Sequence, residues 1–147
     1  MEFVLIGGLA VAAHGFVRAT EDVDVVPAPE RENLDRLLNR LIREDARLSL
    51  APDRVPAADE RRALYSGRNL SVSTRLGDVD IVQRLPGVPS YPDLAQRAAR
   101  ITPFGLDVRV ASREDLIAMK RAGGRAIDLA DLERLGAVGE PSTDGEG

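Results

Sequence analysis

The segments EDVDVV, residues 21–26, and GDVDIV, residues 77–82, decide the fold of this chain. In both segments aspartate alternates with valine or isoleucine, a pattern typical of a β-strand that buries one face. Asp22 and Asp24 then lie on the same face, with their Cα atoms roughly 6.6 Å apart. With a third carboxylate from a neighbouring strand, such a pair can hold two divalent metal ions about 3.5–4 Å apart. That arrangement suits phosphoryl or nucleotidyl transfer.

The flanking patterns predict a single α+β domain. Residues 3–6 form a short apolar strand, the glycine pair Gly7-Gly8 ends it, and a short apolar helix follows. Leucine and isoleucine recur at helical spacing later in the chain, and alternating residues around a turn indicate a hairpin. These helices cover residues 30–43, 113–122 and 125–135, and the hairpin covers residues 70–82. We expect a small mixed sheet with helices on one face over residues 1–136, then a disordered acidic tail over residues 137–147.

The composition limits the chemistry that the chain can support. Its 147 residues suit one domain, and the core must be mainly aliphatic because aromatic residues make up only 3%. The absence of cysteine excludes disulfides, thiolate nucleophiles and cysteine-ligated zinc. A single histidine excludes histidine-rich metal sites. Oxygen ligands remain, which favours Mg²⁺ or Mn²⁺ as the metal.

Charge and hydropathy give no sign of a nucleic-acid surface or a membrane segment. The formal net charge is −4, and three acidic residues of the tail account for most of it. The rest of the chain is therefore nearly neutral, without a global signature for nucleic acid. The apolar start is too short for a signal peptide, and no apolar run approaches the length of a transmembrane helix. We therefore expect a cytoplasmic protein with no membrane partner.

Four motifs occur in an order typical of one superfamily. IGGLAVAAHG at residues 6–15 precedes RATEDVD at residues 18–24, and DLIAMK at residues 115–120 precedes RAIDLAD at residues 125–131. Together they resemble the nucleotidyltransferase superfamily with the DNA polymerase β-like fold. More narrowly, they resemble its small prokaryotic members, which include toxin-type proteins related to abortive-infection systems. The resemblance extends over nearly the whole chain up to Leu135 and implies that fold.

The resemblance implies roles for three carboxylates. It places Asp22 and Asp24 as ligands of the metals that bridge a nucleoside triphosphate. It places Asp80 as the third carboxylate, which can ligate a metal or take the proton of the acceptor hydroxyl. Asp80 is preferred to Asp78 because Asp80 directly precedes two apolar residues, as the third aspartate does in the family. Since both share one face, the choice between them stays open.

The same resemblance implies a site for the triphosphate. Gly7 and Gly8 open the first helix, whose backbone N–H groups can cradle phosphates. Lys120 can reach a phosphate as a point charge, although a solvated helix lysine explains it equally well. Arg18 has two open interpretations, pairing with a carboxylate or reaching a phosphate.

Other polar residues favour structural roles. His14 is expected to end the first helix beside Gly15. Arg125, Asp128 and Asp131 are spaced three apart on the last predicted helix. We interpret them as a salt-bridge set for helix packing.

The activity implied is transfer of a nucleoside monophosphate from an NTP such as ATP to a hydroxyl acceptor, with Mg²⁺ or Mn²⁺ as cofactor. The acceptor stays open between tRNA, a protein hydroxyl and a small molecule. Two alternatives also stay open: a non-catalytic binding or antitoxin-like partner with this fold, and a metal-dependent hydrolase of phosphoesters.

Partners are implied by the resemblance and by the start of the chain. Toxin-type relatives commonly work beside a partner protein, which implies a toxin–antitoxin component with a cognate partner. The chain begins at its first strand, without the helix that usually precedes it in the family. The exposed edge that this leaves predicts a homodimer.

Overall fold

The computed structural model describes residues 1–16, 20–102, 105–124 and 126–136. The predicted tail, residues 137–147, lies outside these ranges. In the described part of the chain, seven strands and six helices follow one another in this order: β1 Phe3–Ile6, α1 Gly7–Ala13, β2 Asp22–Pro27, α2 Arg31–Arg43, β3 Arg47–Leu48, α3 Ala58–Tyr65, β4 Leu70–Thr74, β5 Gly77–Ile81, α4 Tyr91–Arg97, β6 Ala99–Ile101, β7 Val108–Val110, α5 Arg113–Gly123 and α6 Ala126–Arg134.

All seven strands form one mixed sheet, in the order β3-β4-β5-β2-β1-β7-β6. The pairs β2–β5 and β1–β7 are parallel, and the other neighbours are antiparallel. The predicted α+β class and mixed sheet are confirmed. The predicted hairpin is also present, as β4 and β5.

Strand β1 lies inside the sheet, between β2 and β7. It pairs with β2 from Phe3 to Ile6, and its Leu5 pairs with Val110 of β7. The expectation that the first strand leaves an exposed edge is therefore wrong, because residues near the other end of the chain cover that edge. Because the prediction of a homodimer was based on that exposed edge, this strand no longer supports it.

Helices pack on both faces of the sheet, and not on the one face predicted. Adjacent strand residues point to opposite faces, so Val25 and Val26 enter different cores. Val25 and Ile81 pack against α2 and α3, whereas Val26 and Val82 pack against α1, α4 and α5. Both cores are aliphatic, as the composition predicts.

The acidic residues belong to the second of these faces. Asp22 and Asp24 alternate with Val26 along β2, and Asp78 and Asp80 alternate with Val82 along the β5 segment. The carboxylates therefore lie on the same face of the sheet as α1 and α5. This places them beside the start of α1 and next to α5.

Local signals explain the helices that flank this face. The Ser112 hydroxyl accepts a hydrogen bond of 3.1 Å from the backbone N–H of Asp115 and so caps the start of α5. The helix ends at Gly123 and is followed by Gly124, whose φ of +64° places it in the left-handed region. No helix in the described ranges is long and apolar enough to cross a membrane.

Candidate active site

The parallel register of β2 and β5 brings the predicted carboxylates together. Asp24 lies opposite Asp80, and Asp22 lies opposite Asp78. The side chains of Asp24 and Asp80 are hydrogen-bonded to each other. Asp22, Asp24 and Asp80 line one cavity of about 420 Å³, which we term the carboxylate cavity. The three residues predicted from the sequence therefore share one site.

The pKa of Asp24 is raised from 3.8 to about 6. Burial of the side chain is the largest cause, followed by its hydrogen bond with Asp80 and by the negative charges of Asp80 and Asp22. The positive charge of Lys120 acts in the opposite direction. The site thus holds more negative charge than its own residues neutralise, which is the environment that favours a bound cation.

The donor set fits Mg²⁺ or Mn²⁺ in chemistry, because it consists of carboxylate oxygens. Within the described residues, however, no group of three or more acidic, histidine or cysteine side chains is arranged so as to hold a metal ion. Metal binding by these residues requires that Asp24 be ionised, because a carboxyl group ligates a metal in its deprotonated form.

The geometry distinguishes Asp80 from Asp78. Asp80 touches Asp24 and lines the carboxylate cavity. Asp78 is exposed and does not line the carboxylate cavity; it lines a neighbouring groove, which Asp22 and Asp80 also line. This arrangement supports the preference for Asp80 as the third carboxylate.

Gly7 provides the space that Asp24 occupies. Its φ is +69°, in the left-handed region, and a Cβ atom added to it would lie 2.1 Å from Oδ2 of Asp24. Any side chain at Gly7 would displace the carboxylate as well as strain the backbone. Gly8 is buried and lines the carboxylate cavity. Phosphate binding by the two glycines stays a prediction.

Lys120 is buried beside this site, with 7% of its surface exposed. Its Nζ lies 3.2 Å from Oδ1 of Asp128 and 3.0 Å from Oδ2 of Asp131. Because both carboxylates belong to α6, the ammonium group joins α5 to α6. Lys120 also lines the carboxylate cavity. Its interpretation as a solvated helix lysine is therefore wrong.

A second cavity, of about 400 Å³, meets the first at Asp24 and Lys120. We term it the apolar cavity because most of its lining side chains are aliphatic, including Ile6, Val82, Leu85, Val88, Leu116 and Met119. The two cavities also share Val82 and Leu85, so they are neighbours along this part of the sheet.

A family model described as "Nucleotidyltransferase of unknown function (DUF6036)" matches residues 1–142. The chain belongs to this family. No curated protein matches it. The family agrees with the resemblance found in the motifs, and the mixed sheet agrees with a nucleotidyltransferase-type fold.

The structure of this nucleotidyltransferase family member also tests some of the predictions made for other polar residues. His14 contacts the carbonyl oxygen of Ala111 through Nε2, at 2.9 Å, and follows the last residue of α1, which confirms its structural interpretation. Asp128 and Asp131 do take part in helix packing, but through Lys120. Arg18 and Arg125 lie outside the described residues, so the predictions for them stay untested.

Asn69 is a residue of this site that the sequence analysis missed. Its Oδ1 accepts hydrogen bonds from the backbone N–H groups of Gln83, at 2.7 Å, and Arg84, at 3.0 Å. Its Nδ2 donates to the carbonyl oxygen of Arg84, at 2.9 Å. Asn69 thereby fixes the segment that leads to Leu85, which walls both cavities. No sequence signal indicates this role, because the partners are backbone groups of the segment after β5.

Proposed function

We propose that the protein is a metal-dependent nucleotidyltransferase that moves a nucleoside monophosphate from an NTP to a hydroxyl acceptor. The observation that carries this proposal is the environment of Asp24. This carboxyl group is partly buried, hydrogen-bonded to Asp80 and close to Asp22, and its pKa is raised to about 6. A site with this excess of negative charge suits divalent cations and the triphosphate that accompanies them.

In this proposal Asp22, Asp24 and Asp80 hold the metal ions. Bound Mg²⁺ would offset charge on the triphosphate and lower the pKa of the acceptor hydroxyl. The acceptor oxygen forms a bond to the α-phosphorus as the bond between that phosphorus and the bridging oxygen of the leaving pyrophosphate breaks. The hydroxyl proton passes to a carboxylate oxygen of the site; the resemblance gives this role to Asp80, which lines the carboxylate cavity.

The position of the two cavities supports a reaction with two substrates. In-line displacement needs the attacking oxygen and the leaving group on opposite sides of the phosphorus. Asp24 and Lys120 border both cavities, so a phosphorus held between them has space on two sides.

The identity of the acceptor and of any cognate partner protein stays a prediction from the resemblance, as does a toxin–antitoxin role. tRNA, a protein hydroxyl and a small molecule are all included in the test below.

The test incubates the purified protein with Mg²⁺ and each α-³²P-labelled NTP, together with total tRNA or cell lysate. Label that moves onto a macromolecule or small acceptor is expected for the wild type. The Asp24→Asn variant should lose this transfer. Asp78→Asn is the matched control, because it removes an exposed carboxylate of the same sheet face outside the proposed metal set.

Three results would redirect the proposal. Transfer that survives in Asp24→Asn would show that this carboxylate is not a metal ligand. Release of phosphate or NMP with an unmodified acceptor would indicate a hydrolase. No transfer, combined with no Mg²⁺-dependent NTP binding by calorimetry, would indicate a non-catalytic partner protein.

A further inference from the structure

The apolar cavity has an uneven distribution of polar groups. Among its described lining residues, only Asp24, Lys120 and Asp128 have polar side chains. These three are linked, because Lys120 pairs with Asp128 and its charge acts on Asp24. The remaining wall is aliphatic or glycine, so a ligand in this cavity would meet charge at one place and apolar surface elsewhere.

An NTP has the same division between a charged and an uncharged part. If the proposed function holds, its α-phosphate lies at the junction of the two cavities, beside Asp24. The base can then extend into either cavity. The carboxylate cavity is lined by hydrophilic groups such as Thr20, Asn69 and Ser71, whereas the other offers an aliphatic surface for a flat aromatic ring. Its volume of about 400 Å³ lies in the usual range for small-molecule sites.

We propose that the apolar cavity holds the base of the NTP and recognises it by packing alone, so that all four bases are accepted. This inference rests on the proposed function and leaves the carboxylate cavity to the acceptor. Met119 and Leu85 provide side-chain surface for the base, Met119 from α5 and Leu85 from the segment after β5. The charged groups of Lys120 and Asp128 already bond to each other. This ion pair supports the inference that neither group forms a hydrogen bond that distinguishes one base from another.

Weak base selectivity is the direct consequence. Apolar pockets separate similar ligands by small factors, whereas pockets that hydrogen-bond a ligand separate them by factors of about 10⁴ or more. We therefore expect the dissociation constants of ATP, GTP, CTP and UTP, measured by calorimetry with Mg²⁺, to differ by less than about 30-fold. A larger spread would overturn recognition by packing alone.

Truncation of the wall tests the location of the base. Met119→Ala should raise the NTP dissociation constant about tenfold, since it removes apolar contact area. The inhibition constant of tripolyphosphate, a competitor without a base, should stay unchanged. Leu85→Ala is a second variant, because Leu85 is 50% exposed and its truncation should not disturb folding. Leu76→Ala is its matched control, since Leu76 is 72% exposed at the β4–β5 turn and lines neither cavity.

The outcomes separate this inference from the proposed function. Wild-type protein that neither binds nor transfers any NTP would refute both. Label transfer that continues while Met119→Ala and Leu85→Ala keep wild-type NTP affinity would refute only the base site. Equal weakening of NTP and tripolyphosphate would also refute it. A higher KM for the acceptor, with unchanged NTP affinity, would assign the apolar cavity to the acceptor.

Discussion

Replacing Asp24 with asparagine should stabilise the metal-free protein at neutral pH while abolishing its activity. The pKa of Asp24 is raised from 3.8 to about 6, so the folded state favours the neutral side chain. At pH 7 the carboxyl group is ionised in both states and the folded state carries an unfavourable charge. Asparagine removes that charge and keeps a polar group that can hydrogen-bond to Asp80.

The size and pH range of this effect follow from the pKa shift. A rise from 3.8 to about 6 corresponds to at most about 3 kcal/mol, at about 1.4 kcal/mol per pKa unit. Because Asp24 is only partly buried, solvent screening reduces this to about 1–2 kcal/mol. The penalty is fully present above pH 6 and decreases as the pH falls from about 6 to 3.8, where the unfolded chain also becomes protonated.

Thermal unfolding in EDTA at pH 7 and pH 4 provides the assay. We expect Asp24→Asn to raise Tm by about 3–6 °C at pH 7 and to match the wild type near pH 4. Asp78→Asn, at an exposed position, should change stability by less than about 0.5 kcal/mol. Adding Mg²⁺ should raise the Tm of the wild type and of Asp78→Asn, but not that of Asp24→Asn. A variant that is destabilised at pH 7, or stabilised equally at both pH values, would refute the reasoning.

Three further substitutions test the parts that surround Asp24. Gly7→Ala should destabilise the protein by about 2–4 kcal/mol in urea, since it combines overpacking with a positive φ. Gly15→Ala, with a φ of +92° and no atom within 4 Å of the added Cβ, isolates the backbone cost, so equal effects would disprove the clash with Asp24. Lys120→Met should lower the free energy of unfolding in urea by about 3–5 kcal/mol, because it removes the cation of a buried ion pair. Unchanged stability would contradict that pairing. Asn69→Ala should lower the free energy of unfolding by about 1–3 kcal/mol and raise the KM for NTP. An unchanged KM would show that the segment leading to Leu85, which Asn69 holds, does not shape the two cavities.

The sequence predicted the carboxylate face well because alternation along a strand depends on local geometry alone. The prediction that helices cover one face of the sheet overlooked a further pattern. Two neighbouring apolar residues in a strand point to opposite faces, and such pairs occur at Val25-Val26 and Ile81-Val82. Lys120 stands one helical turn after the buried Leu116, which indicates the inner side of α5.

Other features were beyond reach of the sequence because they depend on long-range contacts. Asn69 acts through backbone groups of the segment after β5, which no side-chain pattern reveals. Strand β1 looks like an edge until β7, far along the chain, pairs with it. The apolar cavity likewise forms only where α5 meets the segment after β5.

The position of β1 between β2 and β7 also has a kinetic consequence. Strands β1, β2, β4 and β5 come from the first part of the chain, whereas β7 and α5 come from the last. Pairing Leu5 with Val110 closes a very large loop, and contacts of such high sequence separation form slowly. During refolding or synthesis, the four aspartates would therefore assemble before Lys120 arrives to counter them.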